Sequence, residues 1–293
     1  MQWAMAKSVA TEVTHDMSGK VCVVTGSNTG IGRVTALELA RAGGHVVMAC
    51  RSADRTVPVV EAIKEETGND QVDFVQLDLS SFDSVRSCAD ELLERDLLIH
   101  VLINNAGLAG KRGITSDGFE LAFGTNHLGH FLFTHLLLDR IKQSAPARIV
   151  IVASKGHRLA KKYDLDNVQR RTKSITAFPE YCVSKVANIF HAQELGRRLQ
   201  GTNVTTYAVH PGVVASDVWR QIPQPIRWLY TRNMISNEQG ACTQLHCATS
   251  PDVAGETGLY YDECQVTSVF PPADNGQLCQ QTWARSMAWL GLS

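Results

Sequence analysis

Short apolar runs alternate with longer amphipathic stretches through the first 210 residues, and this alternation constrains the fold more than any other feature. The apolar runs lie at 20–25, 45–50, 72–79, 99–104, 147–154 and 203–210, and they are nearly continuous, as in strands covered on both faces. Between them, apolar residues recur three or four positions apart at 30–42, 57–66, 83–95, 118–141 and 180–199. Strand and helix in alternation predict an α/β fold, a doubly wound parallel sheet of the Rossmann type with helices on both faces.

The pattern loosens after residue 210. A helical stretch at 236–249, a last strand at 258–262 and a C-terminal helix around 276–290 are predicted there. The chain contains no internal repeat and no Pro/Gly-rich linker that would mark a second domain. We therefore predict an N-terminal extension at 1–18 followed by a single domain at 19–293.

Charge and cysteine spacing exclude several classes of protein. Because 28 basic residues face 29 acidic ones, no global field attracts nucleic acid. The eight cysteines include no CxxC pair, which argues against a structural zinc site or a disulfide framework. No run reaches the roughly 18 apolar residues of a spanning helix. We expect a cytoplasmic protein without a metal; the alternative is peripheral membrane contact, for instance through the basic residues at 155–173, which otherwise form a solvated loop.

The first apolar run leads directly into a glycine-rich segment. The segment reads Gly26-Ser27-Asn28-Thr29-Gly30-Ile31-Gly32, and the first predicted helix begins within it. Glycine permits a tight turn and a close approach of backbone N–H groups to an anion, and the helix N-terminus adds partial positive charge. A simple turn is the alternative, but the position after the first strand of a βαβ unit predicts a dinucleotide phosphate site.

The end of the second strand indicates which dinucleotide is bound. An acidic residue near this point typically binds the ribose 2′-hydroxyl of NAD. Here the strand ends in Cys50 and Arg51, with no carboxylate before Asp54. Arg51, with Arg33 in the first helix, offers positive charge to a 2′-phosphate, which predicts NADP(H). The alternative is that both arginines face only solvent.

Several polar residues are candidates for catalysis. Tyr181 and Lys185 are four apart in a predicted helix and so share a face, where the ammonium would lower the pKa of the phenol. Ser154 ends the fifth strand, at the sheet edge where ligands bind; the alternative is a capping serine. Asn126 lies in an apolar helical stretch and needs a partner, structural or functional. His157 is a weaker acid/base candidate, because no partner is evident.

Together these residues resemble the short-chain dehydrogenase/reductase family over nearly the whole chain. The matching motifs are TGSNTGIG at 25–32, Asp78, NNAG at 104–107, Asn126, Ser154, YCVSK at 181–185 and Pro211-Gly212. The resemblance implies a catalytic tetrad of Asn126, Ser154, Tyr181 and Lys185, with Asn126 holding a water that links Lys185 to solvent. It also implies cofactor contacts from Asp78, Leu79, Asn105, Ala106, Gly107, Tyr181, Lys185, Pro211, Gly212 and Val213.

Longer segments look like the retinol dehydrogenase branch of that family. They lie at 115–138, 144–154, 208–214 and 258–265. The resemblance implies an NADP(H)-dependent interconversion of an apolar aldehyde or ketone (a retinoid, lipid aldehyde or steroid) and its alcohol, with Tyr181 exchanging the proton. An NADPH-binding regulatory protein and a carbonyl reductase for xenobiotics stay open as alternatives.

Two further expectations follow from the resemblance and from composition. The aromatic and proline residues at 215–235 suit an apolar lid over the substrate, and contact with a membrane surface is the alternative. By analogy with the family, the helix at 180–199 pairs with its copy in a homodimer.

Overall fold

The computed structural model describes residues 13, 15–214 and 235–292, and within these ranges one eight-stranded sheet organises the chain. The strands are β1 (Val21–Thr25), β2 (His45–Cys50), β3 (Val72–Gln76), β4 (Val101–Asn104), β5 (Ala147–Val152), β6 (Val204–His210), β7 (Leu259–Asp262) and β8 (Gln265–Val266). Their order is β3-β2-β1-β4-β5-β6-β7-β8. β1 to β7 pair in parallel, and β8 is antiparallel to β7. The predicted doubly wound α/β sheet is confirmed.

Helices cover both faces of the sheet. They are α1 (Gly30–Arg41), α2 (Ala53–Thr67), α3 (Phe82–Glu94), α4 (Leu121–Phe123), α5 (Gly129–Gln143), α6 (Phe178–Arg198), α7 (Asn237–Thr249) and α8 (Gly276–Leu290). Successive strand residues point to opposite faces, so Val23 belongs to the core that includes residues of α3, α5, α6 and α8, while Val24 belongs to the core that includes residues of α1, α2 and α7. The sheet is therefore buried between two apolar cores.

The predicted elements differ from the observed ones in three places. The helix predicted from residue 57 begins at Ala53, before Pro58. Its first turn precedes the regularly spaced apolar residues on which the prediction was based. The helix predicted at 118–141 is α4 and α5 joined by a π-helical segment, Gly124–Leu128. The exposed strand β8 was not predicted, since two residues carry too little pattern.

The ends of the predicted domain map only partly onto the described residues. Met17, near the end of the predicted extension at 1–18, is buried and donates its N–H to the carbonyl of Ala42 over 2.8 Å. The predicted lid at 215–235 lies outside the described residues except for Ile235. Among the described helices, none combines the length and the apolar character needed to cross a membrane.

Candidate active site

The predicted site residues gather at the carboxyl edge of the parallel sheet. The glycine-rich loop follows β1, the Asn104–Gly107 segment follows β4, Ser154 follows β5, and Pro211 follows β6. β1 and β4 are neighbours although their helical connections leave in opposite directions across the sheet. Ligands of open α/β sheets bind at such a reversal of strand order, so the fold alone makes this edge the candidate site.

Glycines let the first loop pack directly on the loop after β4. Gly26 and Gly30 have φ of +63° and +57°, in the left-handed region that favours glycine. A Cβ on Gly26 would lie 2.8 Å from the Cβ of Ala106, and one on Gly32 would lie 2.5 Å from Nδ2 of Asn105. Any side chain at these two positions would therefore separate the loops.

The remaining residues of the loop present backbone rather than side chains. Ser27 is buried, donates its N–H to Sγ of Cys50 (3.1 Å) and donates its hydroxyl to the carbonyl of Val24 (2.9 Å). Asn28, Thr29 and Ile31 are half-buried beside it. The first turn of α1 has no acidic residue, so nothing there opposes a bound phosphate. This cradle, which a Cβ would fill, fits the pyrophosphate of a dinucleotide.

The side chains of Arg33 and Arg51 are exposed, and neither guanidinium forms a hydrogen bond or an ion pair with another described residue. Arg51 directly follows β2, whose Ala49 carbonyl accepts the N–H of Gly26 over 2.9 Å. Arg51 therefore lies beside the glycine loop. The role of the two arginines in binding a 2′-phosphate stays a prediction.

Asp78 and Leu79 lie beyond β3, in the loop that leads to α3. The carboxylate of Asp78 accepts the N–H of Ser80 (2.9 Å) and its hydroxyl (2.7 Å), and the residue is half-buried. Leu79 is buried, and its backbone would meet any Cβ placed on Gly129. The α5 helix therefore approaches this loop at van der Waals distance, and the carboxylate of Asp78 keeps a fixed orientation.

The loop after β4 is fixed to the end of β1 by hydrogen bonds. The N–H groups of Asn105 and Ala106 both donate to Oγ1 of Thr25, over 3.0 Å and 2.9 Å. The side chain of Asn105 donates to the Thr25 carbonyl over 2.8 Å. Asn104 points away into the core, where Nδ2 donates to Thr134 over 2.8 Å. Because Asn104 points into the core, cofactor contacts from this segment are expected from residues 105–107 alone.

Asn126 lies inside the π-helical segment, a local widening that is common at functional sites. Its side chain is completely buried: Oδ1 accepts the N–H of Leu108 (2.9 Å), and Nδ2 donates to the Leu108 carbonyl (3.0 Å) and to the hydroxyl of Ser184 (3.0 Å). A Cβ on Gly107 would lie 3.5 Å from Oδ1 of Asn126 and 3.7 Å from Nζ of Lys185. The amide thus connects the loop after β4 to Ser184 of α6, the residue before the lysine.

Ser154, Tyr181 and Lys185 come together as the sequence predicts. Ser154 and Tyr181 lie on the same side of Gly156, where a Cβ would be 3.3 Å from Oγ of Ser154 and 3.2 Å from Cε1 of Tyr181. Nζ of Lys185 lies 5.7 Å from the centroid of the Tyr181 ring, and the lysine is 3% exposed. Ser154 also accepts the N–H of Gly156 over 3.0 Å, so it caps the turn that follows β5 as well. The capping interpretation of this serine is therefore correct, and its catalytic role stays a prediction.

Burial dominates the protonation of Tyr181 and Lys185. Burial raises the pKa of Tyr181 to about 12, although the hydrogen bond to Ser154 opposes the rise. Burial lowers the pKa of Lys185 to about 7, and Nζ donates to the Val152 carbonyl over 2.8 Å. Desolvation dominates the pKa of both groups in the protein chain, and the predicted lowering of the Tyr181 pKa by Lys185 together with an oxidised nicotinamide stays a prediction.

His157 has a structural role. Its Nδ1–H donates to the carbonyl of Ser154 over 2.7 Å, and Nε2 accepts the N–H of Phe270 over 3.3 Å. Burial lowers the pKa of this histidine, which matches a neutral ring with one donor and one acceptor. His157 thus fixes the backbone of the serine, and it is not the free acid/base that the sequence left open.

The Pro211-Gly212-Val213 segment follows β6, next to the strand that leads to Ser154. Gly212 has φ of +87°, and a Cβ there would collide with Ile235. The N–H of Ile235 donates to the carbonyl of Val213 over 3.0 Å, and the Val213 side chain is 53% exposed. The segment therefore forms one wall of the cleft.

Two residues that the sequence analysis did not single out belong to this site. Gly156 packs against Tyr181 and Ser154, since a Cβ there would lie 3.2 Å from Cε1 of the tyrosine and 3.3 Å from Oγ of the serine. Ser184 accepts from Asn126 and donates to the Tyr181 carbonyl over 2.7 Å. The sequence could have indicated Gly156, because a glycine stands two residues beyond Ser154. Nothing in the spacing indicated Ser184.

Comparisons with known proteins agree with this geometry. A family model described as short chain dehydrogenase matches residues 20–163. Retinol dehydrogenase 11 of Homo sapiens is 44% identical over 282 residues, which is 95% of this chain and 88% of that protein. Retinol dehydrogenase 12 of Homo sapiens is 43% identical over 281 residues, covering 94% and 88% of the two chains.

Solved structures show the same fold. An uncharacterized protein from Mycobacterium Paratuberculosis superposes with a TM-score of 0.76 at 29% identity, covering 95% of this chain and 96% of its own. A short chain dehydrogenase from Escherichia coli CFT073 complexed with NADPH has a TM-score of 0.68 at 20% identity, covering 87% and 99%. The chain belongs to the short-chain dehydrogenase family of oxidoreductases, within its retinol dehydrogenase-like branch.

Proposed function

We propose that the protein interconverts an apolar aldehyde or ketone and the corresponding alcohol with NADP(H), and that Tyr181 exchanges the proton. The observation that carries this proposal is the group formed by Ser154, Tyr181 and Lys185. The Ser154 hydroxyl and the Tyr181 ring both lie against Gly156, the amine lies 5.7 Å from the centroid of the phenol ring, and all three residues are at the sheet edge that bears the glycine loop.

The residues that would hold the dinucleotide lie along the carboxyl edge of the sheet. The glycine loop at 26–32 would bind the pyrophosphate through backbone N–H groups other than those of Gly26 and Ser27, which donate to Ala49 and Cys50, and Arg33 and Arg51 would bind the 2′-phosphate. Asp78 would contact the adenine, 105–107 the adenine ribose and 211–213 the nicotinamide. When bound, the cofactor supplies or accepts the hydride. Preference for NADP(H) is supported by the two unpaired arginines and by the lack of a carboxylate at the end of β2.

Tyr181 is the proton donor in the direction of carbonyl reduction. With Ser154 it would hold the carbonyl oxygen, because the two hydroxyls are already adjacent. Since burial raises the pKa of Tyr181 to about 12, the phenol is protonated at neutral pH and ready to donate. In the direction of alcohol oxidation it must first lose that proton, which needs more positive charge nearby than Lys185 alone supplies. Asn126 and Ser184 keep the part of α6 that bears Tyr181 and Lys185 next to Gly107.

An apolar substrate is supported by what lies around the phenol. The ring of Phe178 stacks on that of Tyr181 with centroids 5.9 Å apart, and the apolar side chain of Val213, in the segment after β6, is exposed. Two relatives similar over nearly their full length are named retinol dehydrogenases. We therefore place retinoid-like aldehydes and alcohols first among the substrates to test.

The test is a Tyr181→Phe variant assayed with NADPH and a panel of apolar and polar aldehydes. We expect turnover of the apolar aldehydes to fall by about 100-fold or more while NADPH still binds, because general acid catalysis typically contributes 10² to 10⁴. Tyr163→Phe is the matched control, since this buried phenol is hydrogen-bonded to Thr282, away from the site, and its loss leaves turnover intact. Turnover by Tyr181→Phe at the wild-type rate would refute the proposal.

A further inference from the structure

His130, on α5, is completely buried and takes no part in the mechanism above. Its Nδ1 lies 3.0 Å from the backbone carbonyl oxygen of Asn126, one turn earlier. Its Nε2 lies 2.9 Å from Oγ1 of Thr25, at the end of β1. One imidazole ring thus contacts both the segment that carries the catalytic amide and the strand that leads into the glycine loop.

The contacts determine which nitrogen carries the proton. A carbonyl oxygen only accepts hydrogen bonds, so Nδ1 of His130 must be the donor to Asn126. Burial lowers the pKa of His130 to about 4, so the ring is neutral at pH 7 and Nε2 is an acceptor. The hydroxyl of Thr25 then donates to Nε2, in preference to the more distant carbonyl of Ile103 at 3.4 Å.

Thr25 is the point at which the network reaches the loops. Its Oγ1 accepts the N–H groups of Asn105 and Ala106, which fill both of its acceptor positions and leave a single proton to donate. The resulting chain of hydrogen bonds runs from the carbonyl of Asn126 through His130 and Thr25 to the loop after β4. Every group in it is buried or half-buried, and each donor meets an acceptor.

We propose that His130 is a positioning residue that fixes the loops bearing the cofactor site relative to the helical segment bearing Asn126. An apolar side chain would fill the same volume, but it would leave the Thr25 hydroxyl without its acceptor and the Asn126 carbonyl without this donor. The hydroxyl would then turn toward Ile103 and weaken its hold on Asn105 and Ala106. Affinity for NADPH and turnover therefore both depend on this histidine. The inference rests on the proposed function for turnover, but not for cofactor binding.

The experiment compares three variants by NADPH fluorescence titration, thermal unfolding and steady-state kinetics. We expect His130→Leu to raise the Kd for NADPH and to lower kcat, each by about tenfold, the usual effect of leaving one buried polar group unpaired. His130→Gln should recover most of both losses, because an amide presents one donor and one acceptor at a similar separation. His191→Leu is the control: this histidine is equally buried, packs on Phe131 and Trp283, and its loss should lower Tm without changing Kd.

A double-mutant cycle with Thr25→Val separates positioning from simple packing. If the two residues act through one hydrogen bond, the effect of His130→Leu on Kd falls to less than about twofold in the Thr25→Val background. A lower Tm for His130→Leu and His130→Gln with Kd and kcat within twofold of wild type would overturn the proposal, as would full additivity in the cycle. Should His130→Leu not fold, His130→Gln and Thr25→Val alone give the Kd comparison. Wild-type protein that binds NADPH but turns over no carbonyl would refute the proposed function and leave the binding arm of this test intact.

Discussion

Replacing Arg33 and Arg51 together by alanine should abolish the proposed preference of this site for NADPH over NADH. Both side chains are exposed and unpaired among the described residues, so they lose no existing ion pair when they bind a phosphate. Two unit charges about 4 Å apart interact by about 1 kcal/mol in water, and a 2′-phosphate carries roughly −1.5 to −2 at pH 7. After screening at about 0.1 M salt, we assign about 1 kcal/mol to each arginine. The pair then contributes about 2 kcal/mol, or roughly 30-fold in the preference for NADPH over NADH.

The assay measures kcat/KM with NADPH and with NADH, for wild type and for the double variant, at low and at high ionic strength. We expect the loss to fall on NADPH alone, and the wild-type preference to shrink as salt rises because exposed charges are screened. Arg171→Ala is the control for net charge, since this arginine is also exposed and unpaired among the described residues but lies in the loop before α6. A preference that survives the double substitution, or that does not respond to salt, refutes the role assigned to these arginines.

Three further predictions concern close packing and protonation. Gly26→Ala should abolish NADPH binding, because the new Cβ would lie 2.8 Å from that of Ala106 at a φ of +63°. Gly156→Ala should lower kcat by about three- to tenfold with the Kd for NADPH unchanged, since a Cβ 3.2 Å from Cε1 of Tyr181 displaces the phenol by a fraction of an ångström. The wild-type protein should become more stable to thermal unfolding as pH rises from about 7 toward 10, and the Lys185→Met variant should not show this increase.

The sign of the pH effect follows from the direction of the shift. The pKa of Lys185 is about 7 in the folded chain and its ordinary value is 10.5, so between these two values the unfolded state binds more protons. Stability therefore rises with pH across this window, and the contribution of Lys185 is lost as pH falls through 7. Parallel Tm curves for wild type and Lys185→Met between pH 7 and 9.5 would contradict the assigned burial of the ammonium.

The two glycine substitutions have controls within the chain. Gly68 has φ of +69° and nothing lies within 4 Å of the place a Cβ would take, so Gly68→Ala tests backbone strain without the collision. Gly276 is equally open, and Gly276→Ala tests a helix-end substitution that should leave kcat unchanged. Loss of NADPH binding in Gly68→Ala, or a kcat for Gly156→Ala equal to that of Gly276→Ala, would show that packing at the site is not the cause.

The sequence predicted the strands and the site motifs because both depend on local pattern. The apolar run at 147–154 places Ser154 at the sheet edge, and the four-residue spacing of Tyr181 and Lys185 places them on one helical face. Neither prediction requires knowledge of a distant contact. The same holds for the glycine loop, whose position after β1 is visible in the order of residues.

What the sequence could not predict depends on partners far along the chain. His157 is fixed by Phe270, 113 residues away, and Thr25 contacts His130 at a separation of 105 residues. The widening of the helix around Asn126 does not alter the apolar period. The pKa of Tyr181 depends on how deeply the finished fold buries the phenol, which no spacing reports.

The parallel sheet places a strict limit on where this chain tolerates changes of length. Ser154 lies two residues beyond the last paired residue of β5, where Val152 is opposite Val209, and strand residues alternate between the two faces. One residue inserted within β5 would turn the serine toward the opposite core, out of reach of Tyr181. An insertion in the connection between Leu159 and Phe178 would shift no strand register. Tags, linkers or fused domains introduced into this chain therefore belong in that connection, at a point away from the catalytic cleft.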